Sequence, residues 1–293
     1  MTTRVIVNPA AGRGRTLERA AALRPRLEAI FGPLDWRVSA SASEVTALAR
    51  DSAKQGHARL VVLGGDGTVH FAVTGVAETP TALAIVPLGT GNDVAAAVGV
   101  PANPEAALAV LATGHVRTID LGRVADRVFV CVLGVGLDTP AIQLIERVRL
   151  VPRSRLLYTY AALRSIVTYR PPTVRISHAG GSDERPVAFA AVTNTDCYAG
   201  GMRICPAARV DDGLLDLCVI AGQSWPRLLM RFGRVTSGRH GGLSGVTLAQ
   251  SPWVRFESRE PVPVTLDGEL TSLATPIETR VVRGGLRILG AAA

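Results

Sequence analysis

Short unbroken apolar runs alternate with segments of helical period through the first third of the chain. "RVIVN" (4–8) reads as a buried strand; the turn "PAAGRGR" follows, then a helical pattern from Thr16 to about Phe31. "WRVSAS" (36–41) predicts a second strand, and Ser43 stands where it can cap a helix running toward Gln55. "RLVVLGG" (59–65) and "TALAIVPLG" (81–89) predict two more strands. Each runs through glycine into a helix, the first from about Thr68 and the second over "GNDVAAAVG" (91–99). Strands alternating with helices predict βαβ units and a parallel sheet. Val/Ile/Leu runs without polar alternation predict strands covered on both faces.

After Gly114 the rhythm changes. "TIDLGRV", "RVFVCVLGVG", "TVRISHAG", "VAFAAVTNTD", "LLDLCVIAG", "WVRFES", "VPVTLDGE", "IETRVV" and "LRILG" are short β runs separated by Gly, Pro or Asp turns. Strands this dense predict a β-sandwich. A helical stretch over 141–169 and another over 225–234 interrupt them. The expected architecture is a three-layer α/β domain with a Rossmann-like parallel sheet over 1–117. A C-terminal β-sandwich follows over 118–293, with a helical insert at about 141–170 and last residues able to pack back on the first domain.

Composition narrows the function classes. At 293 residues with 47% hydrophobic side chains, the chain can bury a sizeable core. Its apolar runs, such as 129–137, fall well short of the ~20 residues that span a bilayer. The start shows no cleavage-site pattern, and Cys131, Cys197, Cys205 and Cys218 lack close-paired metal spacing. Free thiols and a cytoplasmic location are therefore expected. The net charge is +8, yet Lys54 is the only lysine. A P-loop is excluded, because it needs a lysine after its glycines to reach the phosphates. A basic surface suits anionic lipid headgroups or nucleic acid. With only 4% aromatic residues and no nucleic-acid motif, the second partner has no support.

Three glycine turns follow strands of the first half: "NPAAGRGR" (8–15), "GGDGT" (64–68) and "PLGTGND" (87–93). In an open parallel sheet, ligands collect at the carboxyl ends of strands. Glycine lets backbone amides approach a phosphate, and the following helix N-terminus adds positive potential. Gly12, Arg13, Gly14 and Arg15 suit an anion in this way. An aspartate among such glycines repels triphosphate unless Mg²⁺ or a hydroxyl bridges it. The alternative for Asp66 is a plain N-cap of the next helix.

The ordered set "VNPAAGRGR", "VVLGGDGTVHFAVTG" and "VPLGTGNDVA", with "TIDLGRV", "NTDCYAGGMRICPAARVDDGLLDLCVI" and "TLDGE" behind it, resembles the diacylglycerol kinase catalytic domain family. That family includes soluble bacterial lipid kinases and the sphingosine kinases. NAD kinases share the GGDGT turn, but not its combination with the Asn-Pro and GTGND turns. The resemblance implies an ATP site in a cleft between the two domains, with Asn8, Gly12 and Arg13 on the nucleotide side. It implies that Gly64, Gly65, Asp66, Gly67 and Thr68 cradle phosphates, with Asp66 serving Mg²⁺, and that Thr90, Gly91 and Asn92 close the pocket. Asp93 then faces the lipid headgroup or the network around the transferred phosphoryl group, Asp120 belongs to that same network, and Glu269 takes the place of the general base. Read locally, "LDGE" is also an ordinary hairpin turn, with Asp267 a turn or supporting residue. "RVDDGLLD" matches a structural metal site formed by the Asp212 carboxylate and the backbone of Arg209 and Leu214. An Asx-type turn is the local alternative.

The stretch 141–172 carries six arginines against Glu146 alone. Apolar residues recur in it at helical intervals, which suits an anionic membrane surface or a helix packed on the sandwich with its arginines in water. The expected protein is an ATP- and Mg²⁺-dependent lipid kinase acting on diacylglycerol. A sphingoid base or another glycerolipid, then NAD, are the other acceptors, and a non-catalytic lipid-binding module is the reading from another class. Expected partners are a membrane lipid and an anionic membrane surface in peripheral contact, without nucleic acid; a homodimer is compatible.

Overall fold

The computed structural model describes residues 2–148 and 155–291. It divides into two compact units, Met1–Asp120 with Arg283–Ala293, and Leu121–Val282.

The first unit begins with β1 (Thr3–Val7), α1 (Thr16–Phe31), β2 (Leu34–Val38) and α2 (Ala42–Lys54), and continues through β3 (Arg59–Gly64), α3 (Asp66–Val76) and β4 (Ala82–Pro87). The short α4 (Asp93–Ala97) and α5 (Pro104–Thr113) follow. β1 pairs in parallel with both β2 and β3, and β3 with β4, giving the order β2-β1-β3-β4. The apolar runs explain this sheet: Val5, Ile6, Val7 and every residue from Leu60 to Leu63 are fully buried. Arg4 lies buried among them. Its Nε donates to Asp35 at 2.8 Å and its Nη1 to Asp51 at 2.7 Å, tying β1 to β2 and α2. The chain leaves β1 toward β2 on one side, while β3 lies on the other. The switch point of the sheet is therefore between the carboxyl ends of β1 and β3.

Strand β5 (His115–Val124) leads into the second unit. There β6 (Arg127–Phe129), β7 (Val132–Gly136), α6 (Asp138–Arg147), α7 (Arg155–Thr168), β8 (Thr173–His178) and β9 (Gly181–Thr193) follow one another. Then come β10 (Leu215–Ala221), α8 (Trp225–Thr236), β11 (Val246–Ser251), β12 (Trp253–Ser258), β13 (Pro263–Leu266), β14 (Glu269–Ala274) and β15 (Ile277–Gly290). β9 serves two sheets: Gly181–Pro186 pairs with β8, and the apolar half ending at Thr193 pairs with β7 and β10. Leu133, Val135, Val192, Leu217, Val254, Phe256, Val264 and Leu266 fill the core of this β-sandwich. The end of β15 runs back into the first unit, where Ile288 pairs with Leu83 of β4.

The α/β-then-sandwich architecture is the expected one. Several details differ from the sequence expectation. Ser41, not Ser43, caps α2: it is extended (φ −154°), and its hydroxyl accepts the Glu44 N–H at 3.2 Å. The 141–169 stretch is two helices, α6 and α7. The segments 277–282 and 286–290 are one strand. Helix α5 and strand β11 were not expected.

Candidate active site

The three glycine turns meet at the switch point. Asn8 binds both neighbours: its backbone N–H donates to Leu63 O at 3.2 Å, and its Nδ2 to the Thr68 hydroxyl at 2.9 Å. The Leu88 N–H donates to Gly64 O at 2.8 Å, closing the third turn onto the second. Gly65 and Gly89 touch backbone to backbone. A Cβ built on Gly65 would lie 2.9 Å from the Cα of Gly89, so neither position admits a larger residue without moving main chain. Gly12, at φ +59°, brings the first turn to within 2.9 Å of Leu88 O by the same measure.

Asp66 is the first residue of α3, and Gly65 stands at its cap position without a side-chain bond. The local alternative, a cap of its own helix, therefore gives way to a longer-range one. The Asp66 carboxylate accepts the Asn92 N–H at 2.6 Å and the Val94 N–H at 3.4 Å, holding the start of α4. Burial pushes its pKa up to about 6, and the charge of Asp93 adds to that rise against the pull of these backbone donors. Asn92 is left-handed (φ 60°), a conformation asparagine tolerates. Its Oδ1 accepts the Gly89 N–H and its Nδ2 donates to Gly89 O, both at 3.1 Å. Asn8, Thr68 and Asn92 therefore use polar groups to hold the turns. Gly12, Gly67, Gly91 and Thr90 stay at least partly open to solvent, and Thr90 is exposed. Arg13 lies in the turn Gly12–Gly14; its side chain is outside the described residues. Asp93 and Asp120 are both buried, and Asp120 accepts the Gly284 N–H at 2.7 Å where β15 returns.

In the second unit Glu269 opens β14 opposite Leu266, after a turn whose residues Asp267 and Gly268 both have positive φ, 49° and 80°. This is a tight hairpin, as the local reading of "LDGE" expects. Asp267 does more than turn the chain. Its carboxylate accepts the Val130, Cys131 and Val132 N–H groups at 3.0, 2.8 and 2.9 Å, which fixes the hairpin to the entry of β7. Asp212 forms the Asx turn: its Oδ1 accepts the Leu214 N–H at 3.0 Å across Gly213, with Arg209 exposed beside it. Among the described residues no group of three or more His, Cys, Asp or Glu is placed to hold a metal ion.

Two family models cover the chain: the diacylglycerol kinase catalytic domain over residues 2–124, and the YegS C-terminal NAD kinase beta sandwich-like domain over 131–290. A diacylglycerol kinase of Mycobacterium tuberculosis is 32% identical over 292 residues, covering 97% of this chain and 93% of its own. A Chromohalobacter salexigens protein named for YegS-like lipid kinases is 32% identical over 80% of this chain and 76% of its own. Among solved structures, a Bacillus anthracis protein classed with the diacylglycerol kinases superposes with a TM-score of 0.83 at 25% identity, covering 99% and 96% of the two chains. The chain belongs to the diacylglycerol kinase and YegS-like lipid kinase family.

This lipid kinase also carries a half-buried acid that the sequence reading passed over. Asp138 begins α6 directly behind β7, in "LGVGLDTP", the same order of strand, glycine, aspartate and helix as "LGGDGT". It accepts the Tyr198 hydroxyl at 3.1 Å and the Thr265 hydroxyl at 3.5 Å. Burial pushes its carboxyl up to about 6 in spite of both bonds, and Tyr198 rises well above its ordinary value, first through burial and then through Asp138. A carboxyl whose folded pKa is raised contributes stability that is complete below its unfolded value, near 4, and is lost as pH rises through about 6. Asp138→Asn keeps the shape without the charge. It should therefore stabilise the kinase by about 1–3 kcal/mol at pH 8 and leave it unchanged at pH 4. Denaturant midpoints at the two pH values measure this, and an asparagine variant weaker than wild type at pH 8 would refute it.

Proposed function

We propose that this lipid kinase moves the γ-phosphoryl group of ATP to the free hydroxyl of diacylglycerol, giving phosphatidic acid and ADP. The observation that carries the reading is the meeting of three glycine turns at the switch point of the parallel sheet, with Asp66 among them. Backbone N–H groups at the start of α3 suit phosphate oxygens, and no lysine stands in a P-loop position to do so.

Asp66 and Asp93 suit a divalent cation by their chemistry: the Asp66 carboxylate accepts the N–H of Asn92, the residue next to Asp93, at 2.6 Å, and both offer carboxylate oxygens. Mg²⁺ held there would neutralise charge on the phosphates. Gly64, Gly65, Gly67 and Gly12 let main chain approach the nucleotide, Thr90 and Gly91 form its rim, and Asn8, Thr68 and Asn92 keep the three turns in register. Asp120 anchors the returning strand beneath them. Glu269 takes the proton of the acceptor hydroxyl as its oxygen bonds to phosphorus and the bond to the β-phosphate oxygen breaks. The relatives named diacylglycerol kinase support diacylglycerol as that acceptor.

The test is transfer of label from γ-labelled ATP in the presence of Mg²⁺. The acceptors are diacylglycerol, sphingosine and NAD in separate tubes, each with an Asp66→Ala control. Label in diacylglycerol alone, absent from the control, is expected. Label in sphingosine or NAD instead would reassign the acceptor.

A further inference from the structure

Helices α7 and α8 pack against each other in the second unit. Leu157, Ala161 and Ser165 of α7 are buried on its inner side. On a soluble surface helix the outer side then carries charge, as α1 does with Glu18, Arg19, Arg24, Arg26 and Glu28. α7 differs: Leu156, Tyr160 and Val167 recur at i, i+4 and i+11 and form one exposed stripe around the exposed Arg164, with Leu156 81% accessible. On α8, Arg227, Met230 and Arg234 share one exposed face at i, i+3 and i+7, with Met230 76% accessible and Trp225 half exposed in the first turn. Nine large apolar side chains are exposed among the described residues, and five of them lie on these two helices. That concentration separates the feature from the scattered exposure every surface shows.

Charge identifies what such a face meets. Neither helix contains an acidic residue; none occurs between Glu146 and Asp183, nor between Asp216 and Glu257. Among the described residues Arg231 bonds neutral acceptors, Gln223 Oε1 at 2.9 Å and Ser244 O at 2.6 Å. Apolar and aromatic side chains interleaved with uncompensated arginines match the boundary of an anionic bilayer. There the rings and aliphatic chains enter the acyl edge while guanidinium groups reach the headgroups.

We propose that the outer faces of α7 and α8 together dock this kinase on an anionic lipid bilayer, with Leu156, Tyr160, Trp225 and Met230 inserting and Arg227 and Arg234 holding headgroups. The inference rests on the reading of the chain as a kinase of a bilayer lipid. It extends the arginine-rich stretch noted at 141–172 to a second helix far from it in sequence. Arg149 and Arg153 of that stretch lie outside the described residues and are not needed for it.

The experiment is co-sedimentation with vesicles of phosphatidylcholine, with and without phosphatidylglycerol, in the absence of ATP. Wild type should bind the anionic vesicles and release them at high salt. The double variant Leu156→Glu, Met230→Glu should bind at least about tenfold more weakly, because each change puts a carboxylate into the docking face. Both side chains point to water, so the variant should fold, and it should phosphorylate a water-soluble short-chain diacylglycerol as fast as wild type. Trp225 emission should move to the blue on anionic vesicles, and Trp225→Phe should remove that shift. A double variant that sediments as well as wild type would overturn the proposal. So would wild type bound equally to neutral vesicles, or a double variant whose only change is loss of a dimer. Vesicle binding by a chain that phosphorylates no diacylglycerol would overturn the acceptor assignment and leave the docking face standing.

Discussion

Asp66→Ala should lower phosphoryl transfer by about a thousandfold or more while the protein stays folded. Two losses combine. The carboxylate that holds the Asn92 and Val94 N–H groups disappears, so the start of α4 loses its tie to the second glycine turn. The charge proposed to face the nucleotide's metal disappears with it. Asp66→Asn separates the two effects, because one side-chain oxygen remains to accept from Asn92 without the charge. A dead asparagine variant assigns the loss to charge, and one that recovers most of the activity assigns it to positioning. The fold should survive either change, since a half-buried carboxyl raised to about 6 is a group whose ionised form its surroundings disfavour. Steady-state rates with saturating ATP, and a melting curve for each variant, measure this. An alanine variant with more than a tenth of wild-type activity would remove Asp66 from the machinery.

Glu269→Gln should cut kcat by about 10²–10⁴-fold, the range for loss of a general base, and leave ATP affinity near wild type. The side chain opens β14 behind a hairpin held at three backbone amides by Asp267, so glutamine should occupy the same place. Calorimetric titration with a non-hydrolysable ATP analogue gives the affinity, and turnover on diacylglycerol gives kcat. If affinity falls and kcat does not, Glu269 belongs to nucleotide binding and some other group takes the proton.

Much of this molecule is legible in the order of its residues, for a physical reason. A strand buried on both faces must be apolar throughout, so β1, β3 and β4 announce themselves, and the glycines behind each mark where main chain crowds main chain. Other features were legible but overlooked. Helix α5 is apolar on nearly every side and lacks a helical period, yet Asn103, whose side chain accepts the Ala106 N–H at 3.0 Å, and Pro104 mark its start. The polar first half of β9 gives no strand pattern, because its pairing with β8 rather than burial sets its conformation. What no local pattern carries is which polar groups find each other across the sheet. Asn8 with Thr68, and Asp66 with Asn92, are separated by sixty and twenty-six residues. Asp138 illustrates the same limit, since the two hydroxyls that bind it stand at 198 and 265.

The return of β15 to the first unit has a consequence for how the protein is made. Leu83 waits for a partner, Ile288, that is synthesised roughly two hundred residues later. Until then β4 is an apolar strand with one open edge, the kind of surface that recruits other chains. A ribosome that stops anywhere in the second unit therefore releases a first unit that is unfinished, although every residue of its glycine turns has been made. Completion of the first unit waits on synthesis of the second.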